Sequence, residues 1–162
     1  MSSARPQPAS AAASRKRSHQ LTLVCAPVVV PQVRGLLGDL LLAWGLPRGH
    51  ELAYDLRLVA TELIANVIEH AADSAPHLTI TLQLVDGTLS FGVRDGHPFL
   101  PEPRDNSDDP CADDTSGRGR LIVRTLAAEA GGTTEVERHP DGKTLWVRLP
   151  WPAPRPVPQP GE

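Results

Sequence analysis

Apolar residues recur along this chain with two different periods, and the changes of period outline its elements. From Glu51 to Ala72, the residues Leu52, Leu56, Val59, Leu63, Val67 and Ile68 fall at three- and four-residue steps. That spacing predicts one long amphipathic helix with a broad core face. A shorter run, Val33, Leu36, Leu37, Leu40 and Leu41, predicts a helix over Pro31 to Trp44, with proline in its opening turn and Gly45-Leu46-Pro47 beyond its end. Helical spacing returns over Arg120 to Ala130 and stops at Gly131-Gly132. Strand-like segments cover Leu21–Cys25, Leu78–Val85, Leu89–Arg94, Thr133–Arg138 and Lys143–Leu149. Asp86-Gly87 and a turn containing Asp141-Gly142 join neighbouring strands as hairpins.

These elements predict an α/β fold, a two-layer sandwich of helices on a mixed, mostly antiparallel sheet. Strands and helices do not alternate regularly, which argues against a doubly wound nucleotide fold. Asp95 to Gly119 keeps neither period and is rich in Asp, Pro, Ser and Gly, as lids and binding loops are. The ends differ in composition from the middle. Residues 1–19 read as a disordered, Ala/Ser-rich tail with a solvated basic cluster at Arg15-Lys16-Arg17. Residues 20–149 form one domain. Residues 150–162, with proline at every second position from Pro150 to Pro160, read as a stiff polyproline-like tail.

Charge narrows the function classes. Sixteen basic against 19 acidic residues leave a net charge of -3, with no basic stripe for direct nucleic-acid binding. No apolar run reaches the roughly 18 residues of a membrane span, and no signal-peptide centre is present, so the expected location is the cytoplasm. Cys25 and Cys111 sit in no metal-ligand spacing. Cys25 lies in an apolar strand as a small hydrophobe, and Cys111 in a polar loop.

Three groups of residues carry candidate chemistry. Glu62, Asn66 and His70 repeat at four-residue steps and share one stripe of the long helix. Asn66 offers a neutral oxygen to a hard cation, Glu62 a carboxylate able to take a proton from a hydroxyl, and His70 a phosphate contact. A solvated polar stripe is the other reading of this spacing. Asp95 closes a strand and can accept a hydrogen bond from an exocyclic amine, with Gly96 allowing a close turn beneath a flat ring; taken alone, Asp-Gly reads first as a plain strand-to-loop turn. Ser116-Gly117-Arg118-Gly119-Arg120 precedes a helix, where backbone amides and the helix dipole favour phosphate and Arg118 or Arg120 can add charge. A structural loop is the alternative there.

Together and in this order, the motifs resemble those of the histidine-kinase-like (GHKL) ATPase superfamily, and most of all its bacterial anti-sigma-factor serine/threonine kinases. Thr61 to Ala71 resembles the N box, Val93-Arg94-Asp95-Gly96 the first glycine box, Ser116 to Val123 the second, and Gly142-Lys143-Thr144-Leu145-Trp146 the last family strand. The resemblance spans roughly residues 20–149. It implies ATP and Mg2+ as cofactors, with Asn66 as the magnesium ligand and Glu62 as catalytic base. Asp95 would hold adenine, Thr144 would support it, and Gly117, Arg118 and Gly119 would approach the phosphates. The partners it implies are a sigma factor or an anti-sigma-factor antagonist whose serine is phosphorylated, and it allows a homodimer. The chain departs from the first glycine box, with His97 and Phe99 where glycines are common, and its lid is acidic. A non-catalytic protein-binding regulator on the same fold is therefore the alternative function.

Overall fold

The computed structural model describes residues 16–71, 75–96 and 115–153. The elements run β1 (Arg17–Val24), α1 (Val29–Ala43), α2 (Glu51–Ala71), β2 (His77–Val85), β3 (Thr88–Asp95), α3 (Thr115–Glu129), β4 (Thr133–His139) and β5 (Gly142–Pro150). The five strands form one sheet in the order β1-β2-β3-β5-β4, and all four pairings are antiparallel. The helices cover one face. No described helix is long and apolar enough to cross a membrane.

Alternation along the central strands decides which face is covered. Leu89, Phe91 and Val93 of β3 stand opposite Leu149, Val147 and Leu145 of β5. Of these six, only Leu145 is less than fully buried. Against them pack Leu56, Val59, Leu63, Ile64 and Val67 of α2, Val33, Leu37 and Leu41 of α1, and Val123 and Ala127 of α3. The apolar stripe expected for α2 is thus its core face. The opposite face of the sheet is largely polar, with cross-strand contacts such as Thr22 to Thr79 at 3.0 Å and Trp146 Nε1 donating to Glu137 at 2.7 Å.

Helix ends follow local chemistry. Both α1 and α3 close in Schellman turns. After α1, Gly45 has φ 101° and the amides of Gly45 and Leu46 reach the carbonyls of Leu42 and Leu41. After α3, Gly131 takes φ 74° and the amides of Gly131 and Gly132 reach Ala128 and Ala127. The start of α2 is capped by His50, whose Nδ1 accepts the Leu52 amide at 3.1 Å.

Two boundaries differ from the sequence reading. β1 begins at Arg17, three residues before the expected domain start at 20. Arg17 belongs to the sheet rather than to a solvated basic tail, and its guanidinium donates to the Trp44 carbonyl at 2.9 Å. The second difference is larger. α3 begins at Thr115, so Gly117, Arg118 and Gly119 lie inside the helix rather than in a loop before it. Glycine lowers helix propensity, but tertiary packing overrides it where a helix must come close to a neighbour. The remainder of the expected loop, residues 97–114, and the tail 154–162 fall outside the described residues.

Two predictions follow from this packing. Gly92 lies beneath the Trp146 ring, and a β-carbon there would sit 2.6 Å from the ring. Gly92→Ala is expected to cost about 1–3 kcal/mol by overpacking and to shift tryptophan fluorescence, as urea unfolding and emission spectra would record. Asp55 lies near Glu51 and Glu129 where the start of α2 meets the end of α3. Burial, then the charges of Glu51 and Glu129, push its carboxyl above the usual range. The native state thus holds the Asp55 proton more tightly than the unfolded chain does. Its stabilising share is present below the ordinary carboxylate pKa and is lost as pH rises through the folded value. Asp55→Asn should raise the melting temperature at neutral pH, and the gain should vanish as pH falls below about 4.

Candidate functional site

The described residues include three buried polar side chains, Asp95, Lys143 and Thr144. All three lie where β3 and β5 end together. Ala75, just before β2, packs against Gly96 just after Asp95. A β-carbon on Gly96 would approach the Ala75 β-carbon to 3.1 Å, so glycine permits the close pass here. Gly142 is more constrained. It takes φ 146°, and any β-carbon would collide with the Asp95 carbonyl.

Asp95 faces the helices and is paired. Lys143 stands directly opposite it in the β3–β5 register, with its ammonium 3.2 Å from Oδ2 and 3.4 Å from Oδ1. The two side chains are 5% and 9% exposed, which makes this a buried ion pair. Cys25 feels the same carboxylate. Burial first, then Asp95, push its thiol above the ordinary value.

Thr144 departs from the expectation. Successive strand residues point to opposite faces, so Thr144 lies on the open face of the sheet, away from Asp95. Its hydroxyl meets His139 Nε2 at 2.8 Å. The residue beside Asp95 is Lys143, which the sequence reading did not select. The signal was available in the run Leu145-Trp146-Val147-Arg148-Leu149: if its odd-numbered residues face the core, so does Lys143.

A second cluster joins α2 to α3. Glu62 and Asn66 are both half-buried. A β-carbon placed on Gly119 would lie 2.7 Å from Glu62 Oε2, 3.5 Å from Asn66 Nδ2 and 3.7 Å from Asn66 Oδ1. Gly119 therefore serves this close packing, within the helix, rather than a loop cradle. Asn66 Nδ2 is buried without a hydrogen-bond partner, a costly state for an amide donor that an incoming acceptor would relieve. His70, the third residue of the expected stripe, is not part of this cluster. It is exposed, with Nε2 3.8 Å from Glu69 Oε2.

The helix dipole of α3 directs its positive end toward its start at Thr115, and Gly119 in its second turn lies against this cluster. Arg118 is exposed there and Arg120 partly buried. Burial pushes the Arg120 guanidinium down from its ordinary value. Guanidinium stays charged in proteins, and a desolvated cation at a helix start favours an anion. Asn66 Oδ1 and the Glu62 carboxylate are the oxygens able to face a hard cation. Among the described residues no group of three or more His, Cys, Asp or Glu forms a metal cluster. One or two protein oxygens suit magnesium, which keeps several waters and relies on phosphate oxygens. The donor set therefore fits a magnesium nucleotide.

Residues 25–149 match the family of the histidine kinase-like ATPase domain, and the chain belongs to that family. No curated protein matches it. Among solved structures, it is similar to the catalytic domain of the histidine kinase ThkA, at 17% identity and TM-score 0.51, covering 82% of this chain and 97% of that one. It is also similar to the Acinetobacter baumannii histidine kinase AdeS, at 16% identity and TM-score 0.50, covering 83% of this chain and 68% of that one. These likenesses establish the GHKL fold. The blue-light activated histidine kinase EL346 of Erythrobacter litoralis is 26% identical at TM-score 0.48; the match covers 64% of this chain but only 31% of that protein. A histidine kinase-like ATPase domain is the class that the family defines.

Gly119→Ala tests the α2–α3 contact. The new methyl meets the flexible end of Glu62, and alanine is favoured over glycine in a helix by about 1 kcal/mol. Stability should hold or rise by up to that amount while the Glu62 carboxylate is displaced in a crystal structure of the variant. A fall in melting temperature would mean that the carboxylate cannot yield.

Proposed function

We propose that this chain binds magnesium-ATP at the end of the sandwich where Asp95, Asn66 and the start of α3 meet the solvent edge. We further propose that it acts as an anti-sigma-type protein serine/threonine kinase, passing the terminal phosphoryl group to a serine of an antagonist protein. The observation that carries this reading is the buried, unpartnered Asn66 amide beside Glu62 at a helix start, in a chain of a nucleotide-binding family.

Each residue has a physical task. The Asp95 carboxylate accepts the exocyclic amine of adenine. Asn66 satisfies its buried amide on a phosphate oxygen and offers Oδ1 to the cation. Bound magnesium supplies charge neutralisation at the phosphates. The start of α3, with Arg118 and Arg120, supplies amide donors and positive charge for the same oxygens. Glu62 lies one helical turn from Asn66 and accepts the proton of the attacking hydroxyl, directly or through one water. The geometry of Glu62 also supports a second reading. Its carboxylate is packed against Gly119, so a regulator that binds a sigma factor or antagonist without transferring phosphate would need no rearrangement there.

Phosphotransfer and partner affinity, measured on the parent, Glu62→Gln and Asn66→Ala with a partner found by co-purification, separate the two. The kinase reading expects Glu62→Gln to keep the fold and most of the ATP affinity while transfer falls by about 10²–10⁴-fold. Asn66→Ala should also weaken magnesium-dependent binding. Equal transfer by Glu62→Gln and the parent would remove Glu62 as base. A parent that holds ATP and its partner but transfers nothing would leave the regulator.

A further inference from the structure

The outer side of the α2–α3 pair carries features that neither the core nor the nucleotide reading uses. Two contacts fix how the helices run. Asp55 near the start of α2 shares a cleft with Glu129 at the end of α3, and Gly119 near the start of α3 packs on Glu62 further along α2. The helices are therefore antiparallel. Leu58 lies three residues beyond Asp55 and four before Glu62, so it shares their stripe of α2. Ile122 lies three beyond Gly119 and seven before Glu129, on the matching stripe of α3. Both sit at the seam between the helices, yet Leu58 is 43% and Ile122 38% exposed. Tyr54, one turn before Leu58, is 65% exposed. Three large apolar side chains thus line one shallow seam.

The seam ends in an acidic cleft. Glu51, Asp55 and Glu129 line it with Leu126, Pro150 and Pro152, around a volume of about 230 Å³. That is below the roughly 300–1,000 Å³ of a drug-sized pocket and suits one long side chain. None of the three carboxylates has an ion-pair partner among the described residues. Glu51 suits the positive start of α2. Glu129 has no such reason, because it closes α3, where the dipole is negative and no basic residue stands in the last turn. Asp55 registers the crowding, its carboxyl pushed up by burial and then by Glu51 and Glu129. His50 also borders the cleft, but its Nδ1 is committed to the Leu52 amide. A cation in the cleft would relieve all three acids.

We propose that the seam and cleft form a docking surface for a helix of a protein partner, one that carries an apolar stripe and places a lysine or arginine in the cleft. A groove between two helices takes a third by its apolar ridge. Asp55 and Leu58 are about 4.5 Å apart along the helix axis, so the partner's cation lies within a turn or two of its apolar anchor. The negative charge selects against an acidic helix, nucleic acid and an anionic membrane surface. The surface does not rest on the nucleotide reading, since none of its residues is assigned to that site.

Titration of a synthetic helical peptide into the isotope-labelled full chain, followed by amide chemical shifts, tests the proposal. The probe has about 20 residues, enough to hold a helix, with leucines at three- and four-residue steps and arginines in its first and last turns. Its control carries glutamates in place of the arginines. Shifts should concentrate on Tyr54, Leu58, Ile122 and the residues of the cleft. The control should bind more weakly by roughly tenfold or more. Leu58→Ser and the Glu51→Gln/Glu129→Gln double variant should each weaken the arginine peptide by roughly tenfold. All three positions are exposed, so the variants are expected to stay folded. Absence of shifts at these residues, equal binding of the two peptides, or unchanged affinity in either variant overturns the proposal. Shifts there that change with the concentration of the chain alone would make the occupant a second copy and overturn it as well.

Discussion

The register between β3 and β5 is the constraint on which the rest of this molecule depends. Leu89, Phe91 and Val93 must meet Leu149, Val147 and Leu145 under the helices, because these side chains make the floor of the core. A slip of one residue would turn a whole set of apolar side chains to solvent. Fully burying even one Leu or Val stabilises by about 1.5–3 kcal/mol. The same register fixes what happens two residues beyond the core. It brings Lys143 opposite Asp95 on the covered face and sends Thr144 to the open one. The chemistry at the end of the sheet is thus a consequence of hydrophobic alternation in its middle.

Much of the fold was legible for that reason. Strong periodicity identified α2 and its core face, and Asp86-Gly87 and Gly142 marked the hairpins through the backbone conformations they permit: Gly87 and Gly142 take φ 75° and 146°. The weaker points were boundaries set by tertiary contact. Composition made Arg17 look like tail, whereas its guanidinium reaches the Trp44 carbonyl and the strand begins there. Glycines at 117 and 119 suggested a loop, whereas α3 includes them. Local propensity could not show that Gly119 would be pressed against Glu62.

The placement of the candidate site residues was legible in part. The step from Glu62 to Asn66 did put both side chains in one cluster, because i and i+4 share a helix face. Extending the same stripe to His70 exceeded what the spacing can say. One turn further on, the imidazole is exposed beside Glu69. At Asp95 the motif identified the carboxylate but not its neighbour. A linear motif names residues without their facing. Thr144 and Lys143 are adjacent in sequence and lie on opposite faces of one strand.

Stability alone does not account for the Asp95–Lys143 pair. Desolvating two charges costs several kcal/mol per ion, and an apolar pair of similar volume is often as stable or more so. Breaking such a pair by removing one partner costs about 3–5 kcal/mol, since the other charge is stranded. The arrangement is therefore neutral to keep and expensive to halve. Two charges are held this way at the edge of a core that apolar residues fill everywhere else. At Asn66, a buried donor without a partner makes an incoming acceptor more favourable than it would be at a hydrated surface.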